Sequence, residues 1–404
     1  MTYASIDLGS DTIKVVVMEY CDNKFNVLAS ANTRCVGIKK GIIRDPEMVT
    51  KSLELALSEV EKQVNFKIDK AIISIPGYET KIDLYKASCD VSGLVSGSDI
   101  ANCFKRAIKE NISDSEEVIT VFPIDFVIDD TDKVIDPKGM EAYKMEARVV
   151  ISTVPKDLVY SYLEIFSACG VDVIDLCFST IGDYYQGKKA EYQKLSGAVV
   201  NIGSSKTEVS IFNKGVMIKN DILPIGSKQI DQDIKYIYHV NSLNARTLKE
   251  EFSLANSQYA DNENLEINNT NGDNILIAQK EISEVVEARI VEILKSVKKH
   301  LNILTNKEIS YIIISGGITD IPGFNSILET IFEDKANTLN MNVLGARNSF
   351  YGTAVGMIKY LYEKLAFRGI NYSMYDTNAM KNDKKKGLLD HNIIALIEDF
   401  IKSN

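Results

Sequence analysis

The chain has 404 residues, 45% of them hydrophobic and 25% charged, enough for a folded globular protein with more than one core. A formal net charge of −10, with no dominant basic stretch, argues against nucleic acid as a partner. Three histidines, and six cysteines with no C-x-x-C pair, give neither a zinc site nor a disulfide framework, so the thiols read as buried and reduced.

Residues 2–8 form an apolar, strand-like run that meets Gly9 at once, so the N-terminus offers no signal peptide. No stretch reaches the ~18 uninterrupted apolar residues of a spanning helix, and the expectation is a cytoplasmic protein or one held at a membrane surface. β-Rich runs follow at 13–18 and 25–31, then a helix near 46–64 and a strand at 71–75. Residues 84–156 read as an inserted small domain, with a helix at 97–110, a strand at 117–128, an Asp-rich turn and a strand at 145–153. A helix at 156–169 returns the chain to the first lobe. Residues 198–204 (AVVNIGS) then repeat residues 4–10 (ASIDLGS), and the runs at 208–212 and 216–223 repeat those after the first loop. The pattern is a duplicated α/β domain whose halves face each other. Helical pattern continues at 227–239 and 244–253, and the Asn- and acid-rich stretch 256–274 reads as a solvated loop. Ile290, Ile293, Leu294, Val297 and Leu301 fall on one buried helical face, and residues 311–314 form an apolar strand.

Three turns that follow strands directly carry the candidate chemistry. In Asp7-Leu8-Gly9-Ser10-Asp11-Thr12 the glycine lets the backbone approach a ligand, and the N–H groups and hydroxyls beyond it can surround a phosphate. Its echo at 201–207 supplies a second such loop, so two loops from opposed lobes can hold a polyphosphate between them. Lys14, alternating with Ile13 and Val15, is either a solvated strand lysine or a charge on that phosphate. Residues 315–323, beginning Ser315-Gly316-Gly317-Ile318, are either an ordinary left-handed turn or a small-residue seat for a flat base at the carboxyl end of a strand.

In this order the three turns resemble the actin, Hsp70 and sugar-kinase superfamily. That implies an α/β, actin-like fold of two duplicated ribonuclease-H-like lobes around a nucleotide cleft. The insert narrows the resemblance. Residues 122–129 (FPIDFVID) and 135–140 (IDPKGM) are similar to the insert of the FtsA family, bacterial actin homologues of cell division. So are residues 37–41 (GIKKG), Ile225-Gly226-Ser227 with Asp233-Ile234, and residues 348–356 (NSFYGTAVG). The resemblance covers residues 1–362. It implies a subdomain 1A of residues 1–83, 157–193 and 345–365, and an FtsA-type inserted subdomain 1C of 84–156. Subdomain 2A would hold 194–226 and 303–344, and subdomain 2B 227–302. The implied cofactors are ATP and Mg²⁺. Asp7 would lie near the metal through water, and Gly9, Ser10, Asp11, Thr12 and Lys14 would line the phosphates. Gly203, Ser204, Ser205 and Lys206 would oppose them. Gly226 would lie near the ribose, Lys249 near the adenosine, and Gly316, Gly317 and Ile318 against the base.

Two departures bear on chemistry. The family's second loop usually begins with Asp, where this chain has Asn201; an amide is no general base and a poorer outer-shell partner for Mg²⁺. Ser204-Ser205-Lys206 also replaces a glycine-rich run. The expectation is ATP binding with weak or absent hydrolysis and no catalytic residue. Arg246 stands where the family usually has a Glu facing the adenosine, and either stacks on the base or turns outward.

Residues 366–386 read as a polar linker ending in Lys384-Lys385-Lys386, and 387–404 as an amphipathic helix. Leu389, Ile393, Leu396, Ile397 and Phe400 line its apolar face, with Asp390, Glu398 and Asp399 off it. The resemblance implies a membrane anchor, the lysine run supplying attraction to anionic lipid; a helix packed on the body or on a partner is the alternative. The implied function is an ATP-binding division protein that polymerises and tethers FtsZ, through the FtsZ C-terminal tail, to the cytoplasmic face of the membrane at the division site. Contacts to FtsZ would lie within 227–302, and other division proteins are implied partners. The alternatives are a small-molecule kinase of the superfamily and another actin-like assembly protein of pilus or secretion machinery.

Overall fold

The computed structural model describes residues 1–131, 133–341, 343 and 349–375. Strand Thr2–Leu8 is buried along its whole length, its polar Thr2, Ser5 and Asp7 included, as befits the centre of a covered sheet. It forms an antiparallel meander with Thr12–Cys21 and Lys24–Arg34. On its other edge Lys70–Ile75 pairs in parallel, and Asp172–Phe178 pairs in parallel beyond that. The second half repeats this order. Ser196–Ile202, Thr207–Asn213 and Val216–Leu223 form the meander, and Tyr311–Ser315 and Ala336–Thr338 add parallel strands. The register repeats too: Asp7 lies opposite Lys14, and Asn201 opposite Glu208.

The insert is an antiparallel sheet of Lys81–Leu94, Glu141–Pro155, Glu116–Ile128 and Lys133–Val134. Helix Gly97–Asn111 covers it, started by a capping box between Ser96 and Asp99. Ile100, Phe104, Phe126 and Met145 fill a separate core between helix and sheet.

In the second lobe, helix Gln279–Leu304 buries Ile290, Ile293, Leu294, Val297 and Leu301. The stretch expected as a solvated loop holds a strand instead, since Asn264–Asn268 pairs with Asn274–Ala278. Within the polar run Leu265 and Ile267 alternate with Asn and Glu, and with Ile275 and Ile277 they pack on the lobe's core. Helix Ser179–Gly187 carries the chain from the first sheet toward the second lobe, and helix Gly352–Phe367 returns it against strands Thr2–Leu8 and Thr12–Cys21. They cross so closely that a Cβ at Gly356 would stand 1.7 Å from the Gly182 carbonyl oxygen. The expected tail helix with Leu389, Ile393, Leu396, Ile397 and Phe400, most of the linker, and residues 344–348 lie outside the described residues. Among the described residues no helix is long and apolar enough to cross a membrane.

Candidate functional site

The ends of the two central strands face each other across a cavity of about 310 Å³. In the first loop Gly9 N–H donates to the Thr12 carbonyl at 3.1 Å, a turn so tight that a Cβ on Gly9 would lie 2.8 Å from that oxygen. The second loop closes alike, with Gly203 N–H donating to the Lys206 carbonyl at 2.9 Å. Gly9, Ser10, Asp11, Thr12 and Lys14 line one wall, and Gly203, Ser204, Ser205 and Lys206 the other.

Asp7, at the end of strand Thr2–Leu8, is buried and accepts from Lys14 Nζ at 2.8 Å and Ser74 Oγ at 2.7 Å. Burial pushes its carboxyl up, but the Lys14 charge and hydrogen bond, the Ser74 hydroxyl and the Lys206 charge outweigh it and hold it below the ordinary value. Lys206 pairs with the buried Glu208 at 2.8 Å. Behind the second loop, Ser227 N–H and Lys228 N–H donate to the Gly203 and Ser204 carbonyls at 3.0 and 2.8 Å. Gly226 is wedged beneath that loop, and a Cβ there would lie 2.5 Å from the Gly203 oxygen. It supports the loop and does not itself line the cavity.

Gly316, Gly317 and Ile318 line the far end. Gly316 has φ +107°, and a Cβ there would stand 2.1 Å from the Ile202 oxygen, so strand Ser196–Ile202 requires glycine beside it. Lys249 is buried and paired with Asp231 at 2.7 Å. Arg246 points into the cleft: its Nη1 reaches Asp11 of the opposite lobe at 3.0 Å, while Nε holds Glu250 at 3.0 Å. The GIKKG turn also spans the lobes. Lys40 N–H donates to Ser205 Oγ at 3.1 Å and Gly41 N–H to Ser10 Oγ at 2.9 Å.

Sequence reasoning missed Asp183, which lies one side chain behind the cavity on helix Ser179–Gly187 and is wholly buried. Its carboxylate accepts from Asn201 Nδ2 at 2.7 Å, from Thr353 Oγ1 at 2.6 Å and from Ser315 Oγ. These partners come from three distant segments, so no local motif announces it. Glu208 and Ser74 were also missed, although the run 208–212 repeats 13–18 and the offset of the two loops sets Glu208 in the place of Lys14, opposite Asn201 as Lys14 is opposite Asp7.

Residues 198–356 match the family described as "Cell division protein FtsA", and residues 77–153 match the "SHS2 domain inserted in FTSA". Together these spans exceed half of the chain and include both the insert and the second lobe. The chain belongs to the FtsA family of cell-division proteins. Among curated relatives, the Cell division protein FtsA of Bacillus subtilis (strain 168) is 24% identical over 379 residues, covering 91% of this chain and 85% of that protein. That of Enterococcus faecalis is 21% identical over 364 residues, with 89% and 83% covered. Solved structures share the actin-like fold. The PilM-PilN type IV pilus biogenesis complex matches with a TM-score of 0.60 at 12% identity, over 92% of this chain and 99% of that one. MreB 5 of Spiroplasma citri bound to AMPPNP matches with 0.56 at 13%, over 91% and 99%.

Proposed function

We propose that this family member binds ATP with Mg²⁺ between its lobes, polymerises into actin-like filaments, and tethers FtsZ filaments to the cytoplasmic face of the membrane at the division site. The observation that carries the reading is the pair of equivalent Gly-Ser turns facing each other over one cavity, flanked by Lys14 and Lys206. N–H groups and hydroxyls of such turns suit the phosphates, with Gly316, Gly317 and Ile318 facing the base and Lys249 near the adenosine. Asp7 accepts one hydrogen bond on each oxygen, so it keeps acceptor capacity for the waters of a hydrated cation. The magnesium would neutralise phosphate charge there.

Hydrolysis is expected to be weak. A phosphotransferase needs a carboxylate free to orient the attacking hydroxyl or water. Asp7 and Glu208 are each held by a lysine, and Asn201 is an amide. The same arrangement disfavours a small-molecule kinase. Subdomain 2B is the proposed seat of the FtsZ C-terminal tail. The C-terminal helix with Leu389, Ile393, Leu396, Ile397 and Phe400 is the proposed anchor to anionic lipid, alongside contacts to other division proteins.

The test is electron microscopy of the full chain with ATP on anionic lipid monolayers, with phosphate release followed in parallel. Filaments on lipid with little release are expected. Removal of residues 387–404 should abolish vesicle co-sedimentation while leaving nucleotide binding intact. Rapid multiple turnover, or a truncated chain that still sediments with vesicles, would refute the corresponding part.

A further inference from the structure

The duplicated register isolates one position. In the first lobe Asp7 lies opposite Lys14 and accepts the Ser74 hydroxyl from the neighbouring parallel strand. In the second lobe Asn201 lies opposite Glu208, with Ser315 beside it on the equivalent parallel strand. The carboxylate has become an amide, the lysine a glutamate, and the serine has kept its place. The Ser315 hydroxyl, however, donates to Asp183, and Asn201 Nδ2 donates to the same carboxylate oxygen at 2.7 Å. Thr353 Oγ1 donates to the other oxygen at 2.6 Å. Three donors thus converge on one wholly buried carboxylate contributed by the helix that leads from the first lobe to the second.

A carboxylate facing three donors fixes their orientation. Asn201 must present its NH₂ to Asp183, which leaves its carbonyl oxygen as the group available to the cavity that Asn201 lines. The second loop therefore has this acid one side chain behind it, on the connecting helix, where the first loop has Asp7 itself.

We infer that Asp183 is a positioning residue of the cleft: from behind the second loop it supplies the negative charge that position 201 lacks, and it holds Asn201 with its oxygen toward the cavity as a neutral acceptor for the waters of a cation–polyphosphate ligand. The inference rests on the ATP reading of the cleft. Removing the charge at 183 frees the Asn201 amide to turn its NH₂ outward, which disfavours a hydrated cation but not a bare phosphate. Placing a second carboxylate at 201 with Asp183 intact sets two acids a hydrogen bond apart with no donor between them. Exchanging the two restores one charge and one donor.

The experiment uses the full chain, a fluorescent ATP analogue with and without Mg²⁺, and thermal melting. Asp183→Asn should weaken the Mg²⁺-dependent part of binding by about tenfold, the size of one lost charge-assisted hydrogen bond, and leave metal-free binding almost unchanged. Asn201→Asp alone should melt well below wild type. The exchange Asp183→Asn with Asn201→Asp should melt above Asn201→Asp and regain Mg²⁺-dependent binding, a rescue that a mere loss of packing does not give. Unchanged Mg²⁺ dependence in Asp183→Asn, or an exchange variant no more stable than Asn201→Asp, would overturn the inference. If Asp183→Asn fails to fold, the comparison of the exchange with Asn201→Asp still decides it. Wild-type protein that binds the analogue in neither form would overturn the ATP reading itself, while the melting comparison would still test the coupling of 183 to 201.

Discussion

Asp183 is held in the core at a cost that pH can reveal. Burial pushes its carboxyl up to about 6; hydrogen bonds from Ser315, Thr353 and Asn201 oppose the rise, and the Asp7 charge adds to it. The folded chain therefore keeps this proton to higher pH than the unfolded chain, whose carboxyl titrates near 3.8. The stability from this group is fully present below the unfolded value and is lost as pH rises through about 6. A shift of this size corresponds to ~3 kcal/mol. Urea unfolding should accordingly show Asp183→Asn gaining on wild type by roughly that amount between about pH 4 and about pH 7. A difference that stays constant across the range would mean that the carboxylate is ionised throughout. Legibility in the sequence followed contiguity. Asp7, Gly9, Ser10 and Lys14 sit within one strand–turn–strand and could be read directly, whereas Asp183 is defined by residues 201, 315 and 353, which only folding brings together. Gly226, which the resemblance sets near a ribose, is so close under the second loop that a Cβ there would meet the Gly203 and Ser204 carbonyls.

The elements that join the lobes depend on small residues. A Cβ at Gly356 would meet the Gly182 oxygen at 1.7 Å, and one at Gly182 would meet the Thr353 oxygen at 2.5 Å. Backbone oxygens on a packed helix cannot step aside as a flexible side chain can, so helices Ser179–Gly187 and Gly352–Phe367 would have to separate. Gly356→Ala should destabilise the chain by about 3 kcal/mol, at the upper end of overpacking costs, despite alanine's better helix propensity. Glu59→Ala, on an exposed face of helix Pro46–Val64, serves as control and should change the urea midpoint little. A Gly356→Ala midpoint equal to the control's would show that the crossing is loose. Long elements were plain in the sequence because their periods run for many residues, as in helix Gln279–Leu304. The hairpin of Asn264–Asn268 and Asn274–Ala278 was not, since its first strand offers only Leu265 and Ile267 amid Asn and Glu, a weak signal.

Across the whole molecule, the lobes are tied at the base by this helix crossing and at the mouth of the cleft by polar contacts. The GIKKG turn bridges Ser10 and Ser205, and Arg246 of the second lobe holds Asp11 of the first. A polyphosphate entering between the loops must compete with these contacts, since Ser10, Ser205, Asp11 and Arg246 all line the cavity. The Arg246–Asp11 pair is about one-third exposed on each side, so it contributes about 1 kcal/mol at most. That is sufficient to change a rate by about fivefold. If the pair acts as a latch, Arg246→Ala and Asp11→Asn should both accelerate association of a fluorescent ATP analogue in stopped-flow mixing, because each opens the mouth of the cleft. If Arg246 instead serves to hold phosphate, its loss should accelerate only dissociation, and Asp11→Asn, which releases the arginine toward the ligand, should slow it. The duplicated fold makes the first outcome the expected one. Lys14 and Lys206 already flank the phosphate turns from both lobes, whereas Arg246 is engaged with acids on both sides of the cleft.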